Sequence, residues 1–238
     1  MNISSLTRRT LLSTGLSTGL AGAALLLPLR SRAALAEACT LVPEQALGPY
    51  YLEDELVRGD IREGRPGVPL ELKFQVLDLA TCRPLANAAV DIWHCDAGGT
   101  YSGFGAAASE TETFLRGIQL TDEGGVARFQ TIFPGCYPGR TNHIHFRVRT
   151  EGAVAGETYR GGHVAHTGQV FFPEDITIGL MKTGAYAGNA GGRMTQAEDG
   201  IFTGQGGRAS TAKLTQAADP SQGFEALLVA AVDAGTAG

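Results

Sequence analysis

Leu70-Glu71-Leu72-Lys73-Phe74-Gln75-Val76 alternates apolar and polar side chains at every step. Successive side chains of a strand point to opposite faces, so this stretch reads as a half-buried strand. Outward from it, residues 89–95 repeat the pattern, with Val90, Ile92 and His94 on one face and Asp91, Trp93 and Cys95 on the other. Residues 81–84 read as a turn. Residues 115–120 and 126–132 read as strands joined by Asp122-Glu123-Gly124-Gly125, the signal of a hairpin. Residues 144–148, 169–172 and 224–232 supply further strands, and 173–186 holds one short helix. Composition agrees with this reading. A 43% hydrophobic content excludes general disorder, while 33 glycines with no G-X-Y period exclude collagen. Abundant glycine with only 18% charged residues fits a loop-rich β domain better than a helical bundle. The expected fold is all-β: a β-sandwich of mostly antiparallel strands with long loops and at most short helices.

The N-terminus reads as a leader and not as part of that fold. Arg8-Arg9 precede a weakly apolar run of residues 11–29, followed by Arg30, Arg32 and the small-residue stretch Ala34-Leu35-Ala36. A basic region, an apolar region and a small-residue cleavage site define an export signal, and the paired arginines fit the twin-arginine type. Residues 1–36 are therefore expected to be removed, leaving 37–238 as one exported domain, periplasmic or extracellular, with no stable membrane insertion. Removing the leader takes away four arginines and no acids, so 15 basic residues face 24 acidic ones, a net charge of −9. That balance argues against nucleic acid as a partner. Export puts Cys39, Cys82, Cys95 and Cys136 in an oxidising compartment, where disulfides persist.

Chemistry concentrates in residues 134–148. In His143-Ile144-His145 the two histidines share one strand face, while Ile144, Phe146 and Val148 claim the other for the core. A rigid Pro/Gly loop leads into the pair and carries Tyr137 and Arg140. A His-x-His pair by itself is most often a surface feature; the neighbouring tyrosine and arginine are what give it weight. Trp93 reads as a core residue, His94 as structural, and His163 and His166, in a Gly-rich segment, as solvated.

With these motifs in view, the chain resembles the intradiol ring-cleavage dioxygenases, the catechol and protocatechuate dioxygenase family. The matching residues are Gly48-Pro49-Tyr50-Tyr51, the run of residues 84–97 that includes Asp91-Ile92-Trp93-His94, Gly99-Thr100-Tyr101-Ser102, Phe114-Leu115-Arg116-Gly117, Pro134-Gly135-Cys136-Tyr137 and Arg140-Thr141-Asn142-His143-Ile144-His145. The resemblance implies one non-haem ferric ion held by Tyr101, Tyr137, His143 and His145. It implies a catechol-type substrate opened with O2 between its two hydroxyl-bearing carbons to a muconate-type diacid. Tyr137 and Arg140 would act in catalysis, and Tyr50 and Tyr51 would line the substrate pocket. Ferric iron favours anionic oxygen donors beside imidazole, so the donor set suits the ion. Cys136 departs from the bulky residue expected before the second tyrosine. Cys39 and Cys82 lie outside the iron loops and are the expected disulfide. The stretch between Ala36 and Tyr50 is too short for the helical dimerisation segment of catechol enzymes, and the oligomeric state stays open. Two other readings compete: a non-catalytic transthyretin-like sandwich, which leaves the tyrosine and histidine set unexplained, and a cupin-like metalloenzyme, which needs a further ligand such as His163 or His166.

Overall fold

The computed structural model describes residues 39–53, 56–104, 111–189, 192–218 and 222–235. The leader expected at 1–36 lies outside the described residues. Among the described residues, nine strands form two facing sheets: β1 (Pro69–Asp78), β2 (Arg83–Pro84), β3 (Ala89–Trp93), β4 (Arg116–Leu120), β5 (Val126–Ile132), β6 (Ile144–Ala155), β7 (Thr158–Val170), β8 (Lys213–Gln216) and β9 (Phe224–Val232). Between β7 and β8 the described residues form two short α-helices, α1 (Glu174–Leu180) and α2 (Gly200–Gly204), and two 3-10 turns, Gly184–Tyr186 and Gly207–Ser210. In the first sheet β1 pairs in parallel with β9 and antiparallel with β5 and β2, and β8 flanks β9. The second sheet has the order β4-β3-β6-β7 and is antiparallel throughout.

The alternation seen in the sequence sets the core. Leu70, Leu72, Phe74 and Val76 of β1 meet Val90 and Ile92 of β3 and Ile144, Phe146 and Val148 of β6 in one continuous apolar cluster. Phe74 stands at its centre, with the Phe146 ring 5.1 Å away and the Phe129 ring 6.2 Å away. Every even-numbered residue of β3 and β6 that faces inward commits its odd-numbered neighbour to the outer face of the second sheet.

Three expectations change. The 122–125 turn closes as its sequence suggests, with the Val126 N–H donating to Asp122 Oδ1 at 2.9 Å. It does not form a hairpin, because β4 pairs with β3 and β5 with β1. The turn hands the chain from one sheet to the other. Turn chemistry fixes the local reversal only; placing Phe129 opposite Leu72 buries it in the core and decides the pairing. Second, the strand expected at 169–172 is the end of a 13-residue strand that pairs with β6 along most of its length, through a register shift at Val148/Arg149. Its glycines hid it from pattern reading. Third, His166 lies on that strand and is buried, not solvated. Its ring lies 5.4 Å from that of Phe146, and its Nδ1 is 2.9 Å from Glu44 Oε1. His94 is structural as expected, buried between Cys95 O and Thr131 Oγ1 at 2.8 and 2.7 Å.

Cys39 and Cys82 form a disulfide with Cα atoms 5.6 Å apart, while Cys95 and Cys136 are free and buried. The bridge ties the N-terminal segment to the β1–β2 turn. It closes a loop across 43 positions, which in the chain-entropy account stabilises the fold by about 2–4 kcal/mol. Cys82→Ala should lower the urea midpoint accordingly, with little change in the denaturation slope; an unchanged midpoint would refute the contribution.

Burial also makes the metal-free protein acid-sensitive. Desolvation depresses His94 and His166 to about 4 and His143 to about 3, from 6.5. Below pH 6.5 the unfolded chain therefore binds protons that the native state refuses, so stability falls with acid. Buried Asp91, raised to about 7 by desolvation, and Glu44, raised by the same cause, act in the opposite sense. With His145 held far below the usual range as well, the balance is about one to two and a half protons, or roughly 1.4–3.4 kcal/mol per pH unit between pH 6.5 and 4.5. Thermal midpoints of metal-free protein across that window should fall steeply, and a flat profile would contradict the burial of these histidines.

Candidate metal centre

The site lies on the outer face of the second sheet, at the end where β3 finishes and β6 begins. Trp93 and His145 are direct cross-strand partners there. Their rings are stacked, 5.1 Å apart and within 4° of parallel. Trp93 is buried as expected, but against this site and not in the sandwich core. An outer sheet face would ordinarily meet water. Here residues 45–53 cross it as a strap. Gln45 donates to Thr167 O through its backbone and to Ser210 Oγ through its side chain, and Ala46 N–H donates to Gln205 Oε1. Gly48, at φ +75°, rests on His145 so closely that a Cβ would stand 2.9 Å from Cε1.

Two loops bring the tyrosines. Tyr101 follows β3 on a turn shaped by Asp96, whose Oδ1 accepts the Gly98 and Thr100 N–H groups. Tyr137 lies on the loop between β5 and β6. The loops touch at Gly99, where φ is +90° and a Cβ would lie 2.4 Å from Cys136 O, so only glycine fits. Asn189 bolts them together: its amide accepts from Cys136 N and donates to Cys136 O, both at 2.7 Å, and donates to Gly98 O at 3.1 Å. Small, buried Cys136 occupies the position where a bulky residue was expected and joins the core.

The donors converge. His143 Nε2 and His145 Nε2 are 3.0 Å apart, and Tyr137 Oη is 3.5 Å from His143 Nε2. The Tyr101 and Tyr137 ring centroids are 5.7 Å apart. His143 Nδ1 lies 2.7 Å from Thr141 O, which can only accept, so Nδ1 carries the proton and Nε2 presents a lone pair toward its neighbours. Buried Tyr101 Oη and His145 Nδ1 have no hydrogen-bond partner among the described residues. Desolvation, with Arg140 nearby, holds His143 neutral; desolvation and the adjacent His143 hold His145 far below the usual imidazole range. Burial likewise pushes the Tyr101 and Tyr137 phenols up, with Arg140 offsetting part of the shift at Tyr137. Two neutral imidazoles and two phenols aimed at one another form a set with donors and no acceptor. A multiply charged cation supplies the acceptor and lowers the phenol pKa, so the residues present fit a ferric ion. Among the described residues no cluster of three His, Cys, Asp or Glu side chains can hold a metal, so a histidine–carboxylate or cupin-type ligand set is not assembled there. His163 and His166 stand apart, beside Glu151 and Glu44.

Arg140 binds around the cluster without joining it. Its Nη1 donates to Tyr137 Oη at 3.0 Å, its Nη2 to Gln169 Oε1 at 2.6 Å and its Nε to Asp199 Oδ2 at 2.9 Å. The two tyrosines expected to line the pocket separate. Tyr50 stacks on Tyr101 at 4.3 Å and meets Tyr137 edge-on at 5.2 Å. Tyr51 turns behind Trp93, donates to Asp91 Oδ2 at 3.1 Å and lies under the Arg147 guanidinium. It is therefore a buttress of the Trp93–His145 stack, not a wall of the donor cluster. Gln169, Asn189 and Asp199 were not anticipated. Gln169 is the cross-strand partner of His145, which the unrecognised length of β7 concealed. Asn189 and Asp199 belong to irregular chain, where no periodicity marks a side chain's direction.

A family model described as Dioxygenase matches residues 47–176, more than half of the chain. The solved intradiol ring-cleavage dioxygenase from Tetranychus urticae superposes with a TM-score of 0.72 at 34% identity, covering 84% of this chain and 98% of that one. The catechol 1,2-dioxygenase of Acinetobacter baylyi is 33% identical over 148 residues, 49% of this chain and 47% of the relative. The protocatechuate 3,4-dioxygenase beta chain of Burkholderia cepacia is 31% identical over 140 residues, 54% of each chain. The chain thus spans about half the length of the curated relatives it matches. With its two-sheet architecture and the convergence of two tyrosines and two histidines on one outer face, the chain belongs to the intradiol ring-cleavage dioxygenase family.

Proposed function

We propose that this protein is an Fe(III)-dependent intradiol dioxygenase that opens an uncharged catechol between its hydroxyl-bearing carbons with O2, releasing a muconate-type diacid. The observation that carries the reading is the 3.0 Å approach of two neutral imidazole nitrogens inside a ring of phenols. Tyr101, Tyr137, His143 and His145 would hold the ion. When bound, ferric iron supplies the Lewis acidity that ionises phenols and activates the catechol toward O2. The protein's own groups do the rest. Once ionised, Tyr137 Oη, beside Arg140, would take a hydroxyl proton from an incoming catechol, and the guanidinium would stabilise the charge that the proton leaves behind. Leu47, Tyr50 and Phe104 pack on the Trp93–Tyr101 cluster and keep water out. Export by the leader is part of the same reading; the Cys39–Cys82 bridge supports an oxidising location.

Charge accounts for the substrate class. Three arginines lie against the aromatic rings of the site. Arg116 donates to Ser102 Oγ and O, Arg140 is held by three acceptors, and Arg147 lies over Tyr51, 4.4 Å from its centroid. Residues 105–110, which follow Phe104, carry no basic side chain. With these three guanidiniums held against protein groups and a net charge of −9 after the leader, a ring carboxylate is disfavoured at the site.

Iron-loaded protein should be burgundy from tyrosinate-to-iron charge transfer. Tyr101→Phe should shift that band, and His145→Ala should abolish iron retention; full iron content and turnover in His145→Ala would end the site assignment. Catechol should exceed 3,4-dihydroxybenzoate in kcat/KM by about 10²-fold, the scale of an unpaired charge left in an apolar site at roughly 3 kcal/mol. Equal use of both substrates would remove the charge argument and leave the iron site standing.

A further inference from the structure

Residues 192–199 lie beyond the matched family region, yet they grip the loop that joins Tyr137 to His143. The Gly139 N–H donates to Gly192 O and the Met194 N–H to Arg140 O. Arg193 reaches Asn142 Oδ1 at 2.7 Å and Thr141 Oγ1 at 3.1 Å, and is itself held by Glu174. The deepest contact belongs to Asp199, whose side chain is fully buried. Its Oδ1 accepts the Ile201 and Phe202 N–H groups at the start of α2, while its Oδ2 accepts both the Thr141 N–H and Arg140 Nε at 2.9 Å. All four bonds fix the carboxylate, and the carboxylate fixes the guanidinium.

We propose that Asp199 is a positioning residue that aims the Arg140 guanidinium at Tyr137 Oη from a segment outside the family's matched region. An arginine side chain has many rotamers, and a single hydrogen bond to a phenol does not hold it in one geometry. The buried Asp199 ion pair and the Gln169 carbonyl remove that freedom from two sides. The fork then presents Nη1 to Tyr137 in one direction only. Arg140 acts on the phenol; Asp199 acts through Arg140.

The inference rests on the proposed activity for its kinetic arm but not for its structural one. Asp199→Asn keeps an acceptor for the α2 cap, since Asn caps as well as Asp, and removes the charge. In iron-loaded protein it should retain iron, shift the visible tyrosinate band and lower kcat about tenfold or more with KM within about threefold. In an Arg140→Ala background the same change should cost nothing further, because a residue acting through Arg140 has no effect once Arg140 is gone. In metal-free protein, the Arg140 Nε–H should give a slowly exchanging side-chain NMR signal, assigned by its loss in Arg140→Lys and absent in Asp199→Asn. If Asp199→Asn does not fold, Asp199→Ser retains the cap and serves in its place. An additive loss in the double variant, or an Arg140 Nε–H signal that survives the loss of the carboxylate, overturns the proposal. If wild-type protein binds iron but cleaves no catechol, the proposed activity fails and the NMR comparison alone decides the role of Asp199.

Discussion

Everything at the site depends on the two-residue period of β6. Ile144, Phe146 and Val148 are needed by the core, and a strand cannot turn alternate side chains to the same side. His145 is therefore forced outward, with His143 aligned to it just before the strand begins. The same rule on β3 sends Trp93 outward beside His145, where it stacks flat on the imidazole. Core packing at several kcal/mol per large apolar side chain thus pins the direction of the ligands as firmly as it pins the sandwich. A slip of one residue in β6 would exchange histidines for isoleucine and phenylalanine and destroy core and site together.

That placement creates a difficulty and the strap resolves it. Outer sheet faces are wet, and wet imidazoles titrate near neutrality. Residues 45–53 cover the face, anchored at their start where Gln45 and Ala46 bond to β7 and to residues 205–210. The covering must be close, which is why Gly48 lies over His145 with no room for a Cβ. Tyr50 then arrives on Tyr101 as a consequence of the strap's course. The Cys39–Cys82 bridge fixes where that course begins, at the turn after β1.

The sequence made the alternating strands legible because their periodicity is local. Residues 70–76, 89–95 and 224–232 carry their strands nearly to the residue, and the His-x-His direction follows from them. Pairing was less legible. Asp122-Glu123-Gly124-Gly125 dictates a reversal but carries no information on whether the two strands stay together; long-range burial of Phe129 separates them. β7 was mostly invisible because Gly161, Gly162 and Gly168 interrupt any pattern, and Gly161 and Gly162 adopt positive φ. His166 is hidden for the same reason: a histidine among glycines reads as loop until the strand beneath it is known. Tyr51 shows the limit of reading two adjacent aromatics together, since neighbours on an extended chain point apart.

The least legible part is the most revealing. The donors themselves lie within the matched family region, on strands and on short Gly/Pro loops with recognisable signatures. What orients them lies in irregular chain after β7, where Asn189 joins the two tyrosine loops and Arg193 and Asp199 hold the loop before His143. A two-sheet core specifies the direction of a side chain to within a rotamer, but a metal centre and its arginine require the loop ends to be fixed as well. Loops lack the cross-strand ladder that would fix them. Side-chain amide, carboxylate and guanidinium groups provide a substitute ladder here, each bonded to two or more loop atoms. Such a ladder leaves no periodic trace in sequence, because its spacing is set by the gap between loops and not by the pitch of any secondary structure.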